Sequence, residues 1–541
     1  MTSGRSSELS MHHLPDWLAI GAASIFIFLA AYRIELPGLY YDELVFVNAA
    51  QGAPDSTFIH VRLGSVPLLI MPYLGALKAW IYAPVFRLFG VSALTIRLPA
   101  ILLAAVTLLI FYQLMRAKLG AAWAAVAVWI MAVDPANVFP SRLDWGPSVL
   151  THLFQAAILA LWFSYRDEPD LWKAALILIC FGLGFFDKFN FIWLASAFVI
   201  GSSLCYPDTL KNLWISTPRF TRWIAVILVL IALGATLYLI LPLLLNFHHP
   251  IGAHTTSLQV KWHALLSTLS GQAVAGFIFG DARGIISHAP FWLIVTDGLL
   301  ALVCLSLSMS NAEARENRKN GIFCLLLGIV IFLQIVITPQ AGGPHHYSMI
   351  FPLPFLALAF LGKSVYTQFA TKNLRYLGGV LLGSAAVCLF VVNVHNSAAY
   401  LSHFRTNPHY NPRWSPEIYS LSHYINEHGF ETKSIICVDW GLHTQLHALA
   451  PKKLRKRIHD YWPTFIELGE KNPEEQTATL NYFFPRGKSL ALTFAASKES
   501  FPETRRNFLA SLATRPELKS RLVKEFWSGG EKIYDLYEVV R

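Results

Sequence analysis

"LYYDELVFVNAAQG", residues 39–52, follows the first long apolar stretch and sets two adjacent carboxylates, Asp42 and Glu43, at the edge of a membrane. Tyrosines and aliphatic residues flank the pair, and the stretch holds no lysine or arginine. Ionisable groups at membrane depth are costly, so such a pair is a functional candidate unless local backbone chemistry explains it. Helix capping is the plain explanation. "DELVFVNAA" reads as a short amphipathic helix with Asp42 at its N-cap and Glu43 favouring the helix dipole. The rest of the chain has to separate these readings.

Of 541 residues, 55% are hydrophobic and 14% charged, which excludes an ordinary soluble enzyme and points to a membrane protein. The net charge of +10 does not imply nucleic acid, because basic residues of a membrane protein collect in its cytoplasmic loops. Six cysteines give neither a disulfide framework nor zinc-type spacing. The short polar N-terminus precedes an apolar run without a clear cleavage site, so that run reads as a retained span.

Eleven stretches approach or reach the roughly 17–25 residues that cross a bilayer. They lie near 17–34, 96–115, 121–139, 148–165, 172–187, 189–205, 223–245, 290–309, 321–338, 347–361 and 376–394. With this count Arg5, Arg116, Lys118, Arg166, Lys173, Lys211, Arg219, Arg222, Arg315, Arg318, Lys319, Lys363, Lys372 and Arg375 all fall on one side. That is the positive-inside pattern, with a cytoplasmic N-terminus and the last 147 residues outside. The apolar stretch 66–90 carries Lys78, Arg87 and three prolines, and counting it as a span would break the pattern. It reads as an interfacial or re-entrant segment on the outer side.

This topology gathers the unusual residues on the outer face. Asp42 and Glu43 are joined by Arg142 and Asp144 of "SRLDWGPSVL", by Asp187 and Lys188 of "GLGFFDKFNF", and by His345, His346 and Tyr347 of "GGPHHYSMIFP". Arg62, in the first outer loop, is a further substrate-binding candidate, and His248, His249, His254 and Arg283 belong to a long later loop. Each has a structural alternative. Arg142 and Asp144 can form an ion pair, Lys188 can snorkel to the headgroups, and the histidines can be interfacial. For His248, His249 and His254 the structural reading is favoured. A catalytic reading is chemically coherent. Glycosyl transfer from a lipid phosphate needs a carboxylate to accept a hydroxyl proton and cations to hold the departing phosphate. Asp42, Glu43 and Asp144 are the catalytic candidates, with Arg142, Lys188 and His346 as the clamp.

These motifs resemble those of the GT-C glycosyltransferases, and more narrowly family 39, the protein O-mannosyltransferases and lipid A aminoarabinose transferases. The Asp-Glu pair resembles their first-loop signature, and "FGVSALTIRLPA" the stretch entering the second span. "SRLDW", "GLGFFDKFNFIWL" and "GGPHHYSMIFPLP" resemble later steps in the same order, over roughly residues 15–361. Arg142 and Asp144 stand in "R-L-D", one residue apart, which departs from the family's "R-x-L-D". The resemblance implies a polyprenyl-phosphate-linked sugar donor, inversion at the anomeric carbon, transfer at the outer face and an active site at the Asp-Glu loop. It also implies no metal for the chemistry and no other cofactor. The acceptor it implies is a glycolipid, polysaccharide or protein hydroxyl of a bacterial envelope.

After about residue 395 the composition turns polar. "SPEIYSLSHYINEHG" and "PETRRNFLASLA" read as helices, "KSIICVDWG", "SLALTF" and "EKIYDLYEVVR" as strands. In "DWGLHTQLHAL", His443 and His447 share one helix face, but Thr444 replaces the glutamate of H-E-x-x-H. A metal site with Asp439 is the lesser reading, and this strand end is expected to face the acceptor or the membrane part. The expected architecture is therefore a mainly α-helical polytopic membrane domain over 1–394 and a small extracytoplasmic α/β domain over 395–541 in a cell membrane. A transporter or lipid flippase is the alternative, with charges near the midplane and repeated halves as its marks. The charges noted here stand at loop edges. An inert assembly partner in envelope biosynthesis is a third reading.

Overall fold

The computed structural model describes residues 5–52, 59–224, 257–280, 288–338, 343–370, 374–406 and 409–541, with scattered positions between 226 and 238. The chain begins with α1 (Arg5–Ala31), followed by α2 (Tyr41–Ala50). A three-stranded antiparallel sheet comes next, with β1 (Val61–Leu63), β2 (Val66–Met71) and β3 (Leu74–Gly75) in that order. Helix α3 (Leu77–Phe89) then leads into α4 (Ala93–Leu119). The apolar segment 66–90 is thus a hairpin strand, a short strand and a helix of 13 residues, too short to cross a bilayer.

Helices α5 (Ala121–Ala132) and α6 (Pro135–Leu143) form one bent unit of 57°. Asp134 makes the break by capping Ala136 N–H at 2.8 Å, with Pro135 in the first helical position. Then come α7 (Ser148–Asp167), α8 (Leu171–Asp187), α9 (Ile192–Cys205) and α10 (Pro207–Ser216), the last two set at 105°. After α11 (Leu258–Leu269) and α12 (Gln272–Phe279) come α13 (Ala289–Ser306), α14 (Ala312–Ile337) and α15 (Pro344–Tyr347). Helices α16 (Leu353–Ala370) and α17 (Arg375–Thr406) complete the bundle.

Six of these helices are long and apolar enough to cross a membrane, or eight with each bent pair taken as one span. The chain is a multi-pass membrane protein. Its apolar core joins α1, α4, α5, α7, α14 and α16 through residues such as Phe26, Phe111, Met131, Trp162, Leu327 and Phe360. Leucines and valines on the outward faces of α13 and α17 remain exposed, as expected of helices solvated by lipid. The expected span over 223–245 falls largely outside the described residues.

Beyond α17 the chain forms an α/β unit. Its elements are α18 (Glu417–His428), β4 (Ile435–Cys437), α19 (Leu442–Leu449), β5 (Ile458–Asp460), α20 (Trp462–Glu467) and α21 (Pro473–Phe483). They continue with β6 (Lys488–Phe494), α22 (Pro502–Ala513), β7 (Lys519–Ser528) and β8 (Glu531–Val540). The strand order is β5-β4-β6-β8-β7, parallel through β5, β4 and β6 and antiparallel beyond. Alternation along β4 sends Ile435 and Cys437 toward α18 and α19, and Ile436 and Val438 toward α20 and α22. Every residue of β4 is buried, which is why it reads as a continuous apolar run. Strands β5 and β7 are additional to the sequence expectation.

Candidate active site

Helix α2 separates the two acids of the opening stretch. Its N-cap is Tyr40, in extended backbone, and the Tyr40 N–H donates to Glu43 Oε1 at 3.1 Å. Glu43, not Asp42, therefore closes the helix start, because the side chain at the third helical position reaches back to that amide. Both Glu43 oxygens also accept from Arg97 of α4, Oε2 from Nε at 2.8 Å and Oε1 from Nη2 at 2.9 Å. Arg97 Nη1 donates to the carbonyls of Ile34 and Pro37, each at 2.8 Å. Glu43 and Arg97 are both buried, so this bidentate pair fastens the lead-in of α2 to the bundle. Both oxygens of Glu43 are thereby engaged in the pair.

Asp42 turns the other way. Its Oδ2 accepts from Trp145 Nε1 at 2.7 Å. The half-buried carboxylate lines a cavity of ≈ 390 Å³ with Tyr73, Lys188, Asn190, His345 and His346. Burial pushes the Asp42 carboxyl above its usual range. The Trp145 hydrogen bond and the ammonium groups of Lys188 and Lys78 oppose that shift, while Glu43 adds to it.

Lys188 is fixed from two sides. It bridges to Leu74 of β3, and the next residue's N–H (Phe189) donates to Tyr73 O at 3.0 Å. Its Nζ donates to Gly146 O at 3.0 Å. Gly146 has φ +63°, and a Cβ there would stand 3.1 Å from Lys188 Nζ and 3.2 Å from the His345 ring, so only glycine fits. The His345 and His346 rings lie 4.1 Å apart, and Trp145 and Trp193 flank them. Asn190 Oδ1, His345 Nδ1 and His346 Nδ1 are buried with no hydrogen-bond partner among the described residues. Buried polar atoms are ordinarily paired, so orphans around one cavity mark where a polar ligand belongs.

The other expected residues stand apart from this cavity. Asp144 is buried, pairs with Lys78 at 2.7 Å and caps α7 through Val149 N–H at 3.0 Å. Arg142 does not pair with Asp144. Its Nη2 donates to the carbonyls of Tyr32, Arg33 and Leu36 at the end of α1, and its guanidinium lies over Phe404. Those contacts correct the ion-pair reading, while Arg142 Nε and Nη1 are buried with no hydrogen-bond partner among the described residues. Tyr347 is packed in the core of the bundle, and Arg62 stands exposed on β1. Asp187 is buried beside Lys188, and neither carboxylate oxygen has a partner among the described residues. His248, His249, His254 and Arg283 lie outside the described residues.

Sequence reasoning missed five residues. In the sequence Lys78 bears on topology alone, and Arg97 is the arginine of the "RLP" ending. A charge within an otherwise apolar stretch was the available signal for both. Trp145 and Asn190 gave none, since either residue is ordinary at a helix turn. Asp297 sits within α13, buried and away from the cavity, which departs from the pattern of charges only at loop edges.

Comparison with known proteins accords with this architecture. The family model for dolichyl-phosphate-mannose-protein mannosyltransferases matches residues 75–242. The apo crystal structure of ArnT from Cupriavidus metallidurans is 13% identical, with a TM-score of 0.55 over 96% of this chain and 97% of that one. The same protein bound to undecaprenyl phosphate is 14% identical, with a TM-score of 0.56 over 97% and 98%. The chain has the GT-C fold. The likeness runs end to end, so it takes in the C-terminal sheet as well as the bundle. No curated protein matches the sequence.

Proposed function

We propose that the chain is an integral-membrane glycosyltransferase that moves a sugar from a polyprenyl-phosphate carrier to a hydroxyl of an envelope acceptor. One observation carries the reading. Asp42, oriented by Trp145, shares a cavity with Lys188 and three orphaned polar atoms. The ArnT structure with undecaprenyl phosphate bound supports a carrier of that kind.

The residues divide the reaction between them. Asp42 accepts the acceptor's hydroxyl proton while that oxygen attacks the anomeric carbon. The bond from the anomeric carbon to phosphate oxygen breaks, and its electrons leave with the polyprenyl phosphate. Lys188 holds the growing negative charge, and His345 and His346 supply donors beside it. Glu43 and Asp144 act at one remove, by fixing α2 and the α6–α7 turn. The site would lie at the outer face of a bacterial inner membrane, with the N-terminus cytoplasmic and the soluble unit outside. The basic loops support that orientation.

The test measures transfer of radiolabelled sugar from polyprenyl-phosphate donors to envelope lipids, glycans and proteins, in membranes carrying wild type or Asp42→Asn. Transfer by wild type, reduced about 10²–10⁴-fold in the variant, is the expected result. Equal transfer by both would remove Asp42 from the chemistry. No transfer by either would favour the transporter reading.

A further inference from the structure

The two histidines of "GLHTQLHAL" lie in α19, and α19 packs along α2. The contact is polar and specific. Asn48 Nδ2 of α2 donates to Thr444 O at 3.0 Å, and Gln51 Nε2 donates to Ala448 O at 3.0 Å. Gln445 Nε2 returns a hydrogen bond to Leu39 O, just ahead of α2. His447 Nδ1 meets Asn48 Oδ1 at 2.8 Å. Because the Asn48 amide nitrogen is already donating to Thr444, its oxygen must accept, so His447 donates from Nδ1. Asn48, Thr444, Gln445 and His447 are all buried.

The geometry around α2 gives this contact its consequence. Successive helical residues turn by about 100°, so Glu43 points about 100° from Asp42, Gln51 about 180° and Asn48 about 240°. The helix is gripped on one side by Arg97 and on its back by α19, and Asp42 projects from the side left open, into the cavity. Its other buried residues, Leu44, Val45, Phe46, Val47 and Ala49, are smooth apolar groups that permit rotation and sliding. Polar bonds of fixed direction do not.

We propose that α19, opposite the Arg97–Glu43 pair, completes the setting of the rotation of α2 about its own axis, and that His447, acting through Asn48, is a positioning residue for Asp42. The inference rests on the glycosyltransferase reading for its catalytic consequence only. A misaimed base loses rate rather than donor affinity, because the phosphate is held by Lys188 on another element.

The experiment compares His447→Asn with His447→Gln in the full-length protein, purified and reconstituted in nanodiscs. An asparagine amide puts its nitrogen near the place of Nδ1, whereas glutamine carries its own one bond further out. Two readouts are taken: kcat and KM for the polyprenyl-phosphate sugar, and amide hydrogen exchange over Tyr41–Ala50. His447→Asn should keep kcat within about threefold of wild type and retain the exchange protection of α2. His447→Gln should lose about ten- to hundredfold in kcat, with KM within about twofold, and should exchange faster in α2 while α7 is unchanged. Asn48→Ala should match the glutamine variant. Equal behaviour of the two His447 variants, or faster exchange across α2 and α7 alike, would overturn the proposal. If wild type transfers no sugar, the glycosyltransferase reading fails, and the exchange comparison alone supports or overturns the grip of α19 on α2.

Discussion

At the scale of single residues, adjacent carboxylates serve opposite ends. Glu43 is committed to Arg97 on both oxygens, while Asp42 keeps one oxygen toward the cavity. Glu43→Ala leaves the Arg97 guanidinium buried beside a lost partner, so a thermal-unfolding assay should register about 3–5 kcal/mol of destabilisation. For Asp42 the sign is the reverse. Burial raises its carboxyl above the unfolded value of about 3.9, so the folded state binds the proton more tightly. The stability this contributes is present at low pH and lost as pH rises through the folded value. Asp42→Asn should therefore be slightly more stable than wild type at neutral pH while inactive, a difference readable in paired melting curves at pH 4 and pH 7. The same shift places the acidic limb of the pH–rate profile above that of an ordinary aspartate. The sequence marked the pair as a candidate but not the different partners of its two acids, because Arg97, Lys78 and Lys188 reach it from 54, 36 and 146 positions downstream of Glu43 or Asp42.

At the scale of elements, the candidate site is held by an ordered loop region together with Arg97 of the spanning helix α4. The β3 segment braces Lys188, and it does so through Gly75, whose hydrogen faces the Phe186 carbonyl at a distance no Cβ could share. Gly75→Ala should push β3 away from the α8 end, cut transfer at least tenfold through Lys188 and leave membrane insertion intact, as a glycosyl-transfer assay with a protease-protection control would show. The hairpin itself was readable. "RLGSVP" puts Gly64-Ser65 between two short extended runs, a two-residue turn signal that the strong apolarity of 66–90 concealed. Strand β7 was hidden for the opposite reason. It is an edge strand with Phe526 as its single buried residue, so it lacks the apolar alternation that marks a strand, although Gly529-Gly530 announces its turn. Long helices such as α4 and α14 were plain, since apolar length and polar ends fix them without tertiary help.

At the scale of the whole molecule, the bundle carries Lys188 and the C-terminal α/β unit grips α2, which carries Asp42, from behind. A cysteine placed at exposed Tyr482, in a background without native cysteines, should react with an impermeant maleimide on intact spheroplasts if the soluble unit faces outward. Labelling only after lysis would reverse the orientation. The grip on α2 also has a meaning in time. The bonds from α19 to α2 and its lead-in link positions 396 to 406 residues apart. A ribosome inserting this chain into the membrane finishes every helix of the bundle before it makes α19. On the proposed reading, the nascent protein should thus be able to bind a lipid donor yet be unable to use it until the last hundred residues have been made and folded. Translation order would then act as a safety catch, keeping the proposed transfer from starting on a half-made chain.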